Sequence, residues 1–201
     1  MKLIERVHDQ YVAQRRARVL SGHLARMIPS GARVLDVGCG DGSIAGLVAE
    51  QRRDLGMAGI DVLMRPDARI AVSQFDGRVI PYDDDSFDTV MFVDVLHHTE
   101  DPISLLREAV RVTRRAIVIK DHMCDGWLAD RTLRLMDVVG NARHGVSILF
   151  NYWTHQRWLD AFGELNLRIG EWKTDLRIYP QPASLMLDRS LHFLTRLDVQ
   201  D

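Results

Sequence analysis

VLDVGCGDG, Val34 to Gly42, is the stretch whose reading decides the fold. Four residues, apolar but for one aspartate, run into Gly38, Gly40 and Gly42, which are spaced two apart. A buried strand that turns through glycines into a helix reads this way, and DGSIAGLVAEQRR from Asp41 supplies the helix, with an acidic residue near its N-terminus. On the C-terminal side, GMAGIDV (Gly56 to Val62) predicts a second strand ending at Asp61, and ARIAVSQFD a third. TVMFVDVLHH (Thr89 to His98) is apolar enough to be a central strand buried on both faces. Asp101-Pro102 marks a helix start, and Ile103, Leu106 and Val110 with Leu105, Ala109 and Val112 carry that helix to about Thr113. AIVIKDH is the next buried strand, and the regular alternation argues for a parallel sheet with helices on both faces.

Upstream, Val12, Val19, Leu20, Leu24, Met27 and Ile28 recur at helical spacings, with arginines on the other face, until Pro29-Ser30-Gly31 stops the pattern. After Asp121 the rhythm breaks. Trp127 to Val139 is helical in pattern and ends at Gly140-Asn141, THQRWLDAFGELN predicts another helix, LRIGEW a strand and SLHFLTRL a final strand. No repeat, linker or low-complexity tract divides the 201 residues. One domain is expected, with residues 1–29 a helical cap, 30–121 a cofactor-binding half and 122–201 a lid and substrate-side half.

A formal net charge of -2 does not mark a nucleic-acid binder. The first 33 residues are locally basic, with Lys2, Arg6, Arg15, Arg16, Arg18, Arg26 and Arg33 against Glu5 and Asp9, which fits a solvated helix face or a contact to an anionic substrate. The two cysteines, Cys39 and Cys124, lack metal-like spacing, so a reducing compartment is the simplest fit. Charge interrupts every apolar run of the N-terminal segment, and no run approaches the roughly 18 residues that span a bilayer. A cytoplasmic protein without membrane contact is the expectation.

The glycine loop alone does not choose its ligand. A dinucleotide site wants its third glycine one place later, where Ser43 stands, and an aspartate beside a pyrophosphate repels it. Asp36 and Asp41 therefore favour a ligand with a cationic head and no phosphate, and S-adenosylmethionine has both properties. Asp61, nineteen residues after Gly42, is placed to accept both ribose hydroxyls or to cap a turn. Asp76 in FDG is placed near an adenine amino group or serves as a turn residue before Gly77. Asp41 is equally a favourable charge on a first helical turn.

With VLDVGCGDG, GIDV, FDGRVIPYDDDSFDTVMFVDVLHHTEDP and the leucine-rich helix after it, the sequence resembles the class I S-adenosylmethionine-dependent methyltransferases, in particular the methyltransferase type 11 group, over roughly Gly31 to Asp121. The resemblance implies a Rossmann-like three-layer α/β sandwich whose seven-stranded sheet has the order 3-2-1-4-5-7-6, with strand 7 antiparallel. It implies that Asp36 and the loop Gly38-Cys39-Gly40 face the methionine moiety, Asp61 and Val62 the ribose end, Asp76 and Gly77 the adenine. Val93, Asp94 and His98 would border the sulfonium end. One departure is visible, since RRAIVIKDH lacks the glycines that many relatives carry before strand five.

Methyl transfer from a sulfonium is an in-line displacement, and a base is needed only when the acceptor must lose a proton. His98, Asp121 and His122, with His97, lie where a parallel sheet puts its site, at the carboxyl ends of strands four and five. Tyr11, Arg15, Trp127, Asn141 and Tyr152 are candidates for binding a small-molecule acceptor, from the N-terminal helix and the segment between Met123 and Trp153. Asp121, His122, His144 and His155 match no metal spacing, so no metal is expected. A nicotinamide oxidoreductase is disfavoured by Asp36 and by the lack of a Tyr-x-x-x-Lys pair. A non-catalytic cofactor-binding partner or regulator stays open. A small-molecule substrate, no nucleic acid, and a monomer or homodimer complete the expectation.

Overall fold

The computed structural model describes the backbone of residues 2–141, 149–181, 184 and 190–200, and the side chains within those ranges from residue 13 onward, 139–141 excepted. Seven strands, β1 (Arg33–Val37), β2 (Gly56–Asp61), β3 (Val72–Gln74), β4 (Phe87–Val93), β5 (Thr113–His122), β6 (Leu167–Lys173) and β7 (His192–Val199), form one sheet in the order β3-β2-β1-β4-β5-β7-β6. Neighbours from β3 to β5 pair in parallel, whereas β7 runs antiparallel to both β5 and β6. This is the sheet that the resemblance implied.

Among the described residues there are also the helices α1 (Lys2–Met27), α2 (Ser43–Gln51), α3 (Pro102–Val112), α4 (Ala129–Asn141) and α5 (His155–Glu164), with a 3-10 turn at Leu96–His98. The two-residue period of the strands sorts side chains into two cores. Leu35, Val37, Phe92, Ile117, Ile119, Phe193 and Leu197 pack with Leu105, Leu106, Ala109 and Val112 of α3 and Trp158, Ala161 and Phe162 of α5. Val34, Met91, Val118 and Leu194 pack with Leu20, Leu24 and Met27 of α1 and Ala45 and Val48 of α2. Each fully buried large side chain contributes roughly 1.5–3 kcal/mol relative to exposure. The same period puts Asp36 on the face of Val34, Lys120 on that of Val118, and Asp121 on that of Ile119.

Several elements depart from the pattern in the sequence. β4 starts earlier and ends earlier than Thr89 to His98, because Asp94 turns to φ 56° and the next residues wind into the 3-10 turn. Two contacts compensate: the Asp94 amide donates to the Lys120 carbonyl, and the Leu96 amide to the Asp121 carboxylate. β3 keeps only three residues of the longer run, since Ser73 and Gln74 at the sheet edge are exposed and bury little. The missing glycines before β5 have a simple consequence, as α3 passes at Thr113 directly into the strand with no turn between them. Trp127 precedes α4 rather than starting it.

Candidate functional site

The carboxyl ends of β1 and β2 build a cradle. Gly38 and Cys39 donate their amides to the Ile60 carbonyl at 2.8 and 3.2 Å, which folds the loop back over β2. Gly38 has φ 71°, and a Cβ there would stand 2.7 Å from Val95, so neither the backbone nor the neighbour admits a side chain. Gly40 has φ 60° and faces open space, with nothing within 4 Å of a Cβ. One glycine is required by the protein's own packing. The other leaves a gap that a ligand can fill.

Asp36 is 3% exposed, and its Oδ1 has no hydrogen-bond partner. Burial, and then the charge of Asp61, pushes its carboxyl well above the usual range. Asp61 ends β2 and accepts from the Gly40 amide at 2.7 Å through Oδ2 and from the Leu63 amide at 2.8 Å through Oδ1. A carboxylate offers about four acceptor positions, so two amides leave capacity for hydroxyl donors. Cys39 stays a thiol, because burial and the charge of Asp36 raise its pKa. Val62, Leu63 and Met64 are exposed apolar side chains just beyond Asp61, and Val62 Cγ1 lies 3.1 Å from where a Gly77 Cβ would be. Asp76 is exposed and accepts the Arg78 and Val79 amides at 2.8 Å, bonds that lower its pKa.

At the ends of β4, β5 and β7 the surroundings change to a dense polar cluster. Asp94 binds Lys120 Nζ and the guanidinium of Arg16, so α1 is pinned to the end of β4. Burial disfavours the Asp94 charge, but Lys120 and then Arg16 outweigh it and hold the carboxyl well below its ordinary value. Lys120 is buried and also lies 3.3 Å from His192 Nδ1. Val93, on the other side of Asp94, packs against the α1 core.

Asp121 is fully buried and accepts from the Leu96 amide at 3.0 Å, the His122 amide at 2.7 Å and His97 Nδ1 at 2.5 Å. His97 Nε2 faces Asp137 Oδ2 at 3.4 Å, and the Tyr152 hydroxyl donates to the same oxygen. Burial lowers the pKa of His97, yet the charge and hydrogen bond of Asp121, with Asp137 behind, push it up to about 10. His98 stacks on His97 with ring centroids 4.0 Å apart, and its buried Nδ1 has no partner. Burial and then the His97 charge lower His98 to about 4. His122 lies between the two carboxylates, with Nδ1 3.5 Å from Asp121 and 3.8 Å from Asp94, and burial followed by the Lys120 charge lowers it.

The expected residues thus separate. His98, Asp121, His122, Asp94 and Tyr152 meet in the cluster, while Asp36, Gly38, Cys39, Gly40, Asp61, Val62 and Gly77 line the cradle. Arg15 donates to the Arg177 carbonyl at 3.3 Å on the α1 side. Trp127 is 88% exposed and lines a shallow depression of about 80 Å³ with Leu128, Thr132 and Leu191, to which no side chain of the cluster contributes. His155 packs edge-on to Trp172 and its amide donates to Asp125, so it does not join Asp121 and His122. The side chains of Tyr11 and Asn141, and all of His144, lie outside the described residues. Lys120, Asp137 and His192 were missed. The signal for each was a charged or titratable residue at a core-facing position, Asp137 four residues after the buried Leu133, Lys120 two after Val118, and His192 two before the buried Leu194.

Among the described residues no helix is long and apolar enough to cross a membrane. The family model of the methionine biosynthesis protein MetW matches residues 19–127. The 27-O-demethylrifamycin SV methyltransferase of Amycolatopsis mediterranei is 34% identical over 110 residues, 47% of this chain and 40% of that protein. The bifunctional methionine biosynthesis protein MetXA/MetW of Rhodopirellula baltica is 32% identical over 111 residues, 47% of this chain and 18% of that protein. The chain therefore spans less than half the length of these curated relatives. The S-adenosylmethionine-dependent methyltransferase of Mesorhizobium loti superposes with a TM-score of 0.65 at 22% identity, over 88% of this chain and 96% of that one. That likeness is one of fold.

Proposed function

Because this chain belongs to the family of the methionine biosynthesis protein MetW and has the fold of class I S-adenosylmethionine-dependent methyltransferases, we propose that it transfers a methyl group from S-adenosylmethionine to a small-molecule acceptor. The observation that carries the reading is Asp36, a buried carboxyl with an unpartnered oxygen near the end of β1, just before the glycine loop. A buried polar atom without a partner is costly, and the ammonium of a methionine tail is the donor that it lacks.

When bound, the cofactor supplies an electrophilic methyl group, and the chain supplies position and proton control. Gly38 and Gly40 let the backbone approach the methionine part, and Asp61 offers its free acceptor positions to ribose hydroxyls. Val62, Leu63 and Met64 give an apolar wall at the adenine end, next to Gly77. Asp76 bonds its own turn, so it acts there by shaping the loop. Val93 and Asp94 lie at the sulfonium end, where Arg16 brings the helical cap down on Asp94. His98 and His122 are both neutral near pH 7 and are the candidate bases for an acceptor that must lose a proton. Asp121 is a positioning residue, since its oxygens hold His97, the Leu96 amide and the His122 amide. Tyr152 and Arg15 are the described candidates for acceptor binding, joined by Trp127 if the acceptor extends to the surface depression, and Tyr11 of α1 and Asn141 of α4 complete the set. The protein acts in the cytoplasm on a molecule of secondary or specialised metabolism in this reading.

A second reading, a cofactor-binding partner of another protein, is favoured by the Rhodopirellula relative whose name joins MetW to MetXA. Calorimetry with S-adenosylmethionine and S-adenosylhomocysteine tests the common premise: binding is expected in the native chain and at least about tenfold weaker binding in Asp36→Asn. Silence of the folded native chain toward both ligands would falsify both readings. Formation of S-adenosylhomocysteine with a panel of acceptors favours the enzyme, and a stable protein complex without turnover favours the partner.

A further inference from the structure

The polar cluster contains more than acid and base groups. His97, His98 and Asp137 each offer one ligand atom, and these atoms lie within 4.8 Å of one another. His97 Nε2 and His98 Nδ1 are both sealed from water, the first facing only Asp137 Oδ2 at 3.4 Å and the second with no hydrogen-bond partner, and the His97 side chain is 1% exposed. Buried nitrogens of this kind are rare unless something occupies the space between them.

The surroundings of the trio match those of a bound cation. His97 uses Nδ1 for Asp121 at 2.5 Å, which fixes the ring and turns Nε2 toward Asp137, as in a carboxylate–histidine–metal relay. Asp137 is itself held by the Tyr152 hydroxyl, as ligating carboxylates usually are. The separation of 3.4 Å between His97 Nε2 and Asp137 Oδ2 equals that of two ligands on one tetrahedral ion, roughly 3.4 Å for bonds of about 2.0–2.1 Å. The adjacent trio of His97, Asp121 and His122 fails on the same measure. There His97 Nδ1 and Asp121 Oδ1 are 2.5 Å apart, a hydrogen-bond distance too short for two ligands of one ion.

We propose that His97 Nε2, His98 Nδ1 and the Asp137 carboxylate bind one divalent transition-metal ion of the zinc type. Two imidazoles and a carboxylate suit such ions better than magnesium or calcium, which take oxygen ligands, and the ion displaces to solvent the proton that His97 otherwise holds on Nε2. Three protein ligands leave a coordination position open, and an acceptor hydroxyl placed there becomes more acidic. That catalytic use rests on the methyl-transfer reading, and it leaves His122 as the base. Metal binding itself does not depend on it.

The test uses the full chain stripped with a chelator, titrated with zinc by calorimetry and with cobalt by visible absorption. One ion per chain is expected, with ligand-field bands of a low-coordinate cobalt site. His98→Gln and Asp137→Asn should each weaken uptake by more than about tenfold, and Tyr152→Phe, which removes only a supporting hydrogen bond, by about tenfold. His155→Gln, which lies outside the cluster against Trp172, should bind like the native chain. Thermal melts run alongside identify any variant that does not fold, and Tyr152→Phe with His98→Gln then carries the result. No uptake of either metal by the native chain overturns the proposal, as does native-like uptake by both His98→Gln and Asp137→Asn. Loss of uptake in His122→Gln with none in His98→Gln also overturns it. S-adenosylhomocysteine binding measured on the same samples reports separately on the function reading.

Discussion

The two ends of this site are built on opposite plans. The cradle over β1 and β2 is a contiguous loop with few polar side chains, one of which, Asp36, lacks a partner. The cluster over β4, β5 and β7 gathers Asp94, His97, His98, Lys120, Asp121, His122, Asp137, Tyr152 and His192 from distant segments, and most of their polar atoms meet one another. Incomplete satisfaction in the first region marks a place kept for a ligand. In the second, dense contacts surround the unpartnered nitrogens of His98 and His192, and each member's charge state and orientation depends on the rest.

If that contrast is right, mutations in the cluster should cost folding stability and mutations in the cradle should mainly cost binding. The largest effect is expected from Asp121→Asn, which leaves His97 short of a compensating charge. A loss of roughly 3–5 kcal/mol is expected from urea unfolding. A loss under about 1 kcal/mol would show that the cluster is not the coupled unit described above.

Next come the two glycines, which divide the cradle between structure and ligand. Gly38→Ala must relieve both a left-handed φ and an approach of 2.7 Å to Val95, for about 2–4 kcal/mol in the same unfolding assay. Gly40→Ala meets only the backbone strain, about 1–2 kcal/mol, but should reduce S-adenosylhomocysteine affinity more than Gly38 packing alone explains. Equal affinity in Gly40→Ala and native protein would remove the open face of the loop from the site.

The smallest expected effect has the most informative sign. Asp36 has a folded pKa raised above its unfolded value of about 3.9, so the folded chain holds that proton more tightly than the unfolded one. Its contribution to ligand-free stability is therefore lost as pH rises from that unfolded value toward the raised folded one. Asp36→Asn should flatten this part of the melting-temperature profile and stabilise the ligand-free chain at neutral pH by about 1 kcal/mol, while weakening cofactor binding. A destabilised, equally pH-dependent variant would mean that Asp36 has a partner in solution and is structural.

The same contrast explains what could be read before the fold was known. In VLDVGCGDG the strand, the turn and the helix start are adjacent in the chain, so local conformation and apolar pattern were enough to read them. The end of β4 was not legible, because nothing local shows that Asp94 takes φ 56° and that the Lys120 carbonyl and Asp121 carboxylate catch the chain beyond it. Edge strand β3 came out short for a similar reason, since its length is set by what it can bury against β2. Asp137 was missed because only the packing of α4 turns it toward His97, 40 residues earlier in the chain.

Alternation of apolar and glycine residues along the chain was sufficient for the α/β class, the strand order through its family resemblance, and the place of the cradle. Those properties depend on neighbours a few residues apart. The partners of Asp94, His97 and Asp137, and with them the charge state of every histidine in the cluster, depend on residues 15 to 78 positions away. Burial and Coulomb interaction act through space, so only the packed sheet could bring those groups together and set which of them carry a proton.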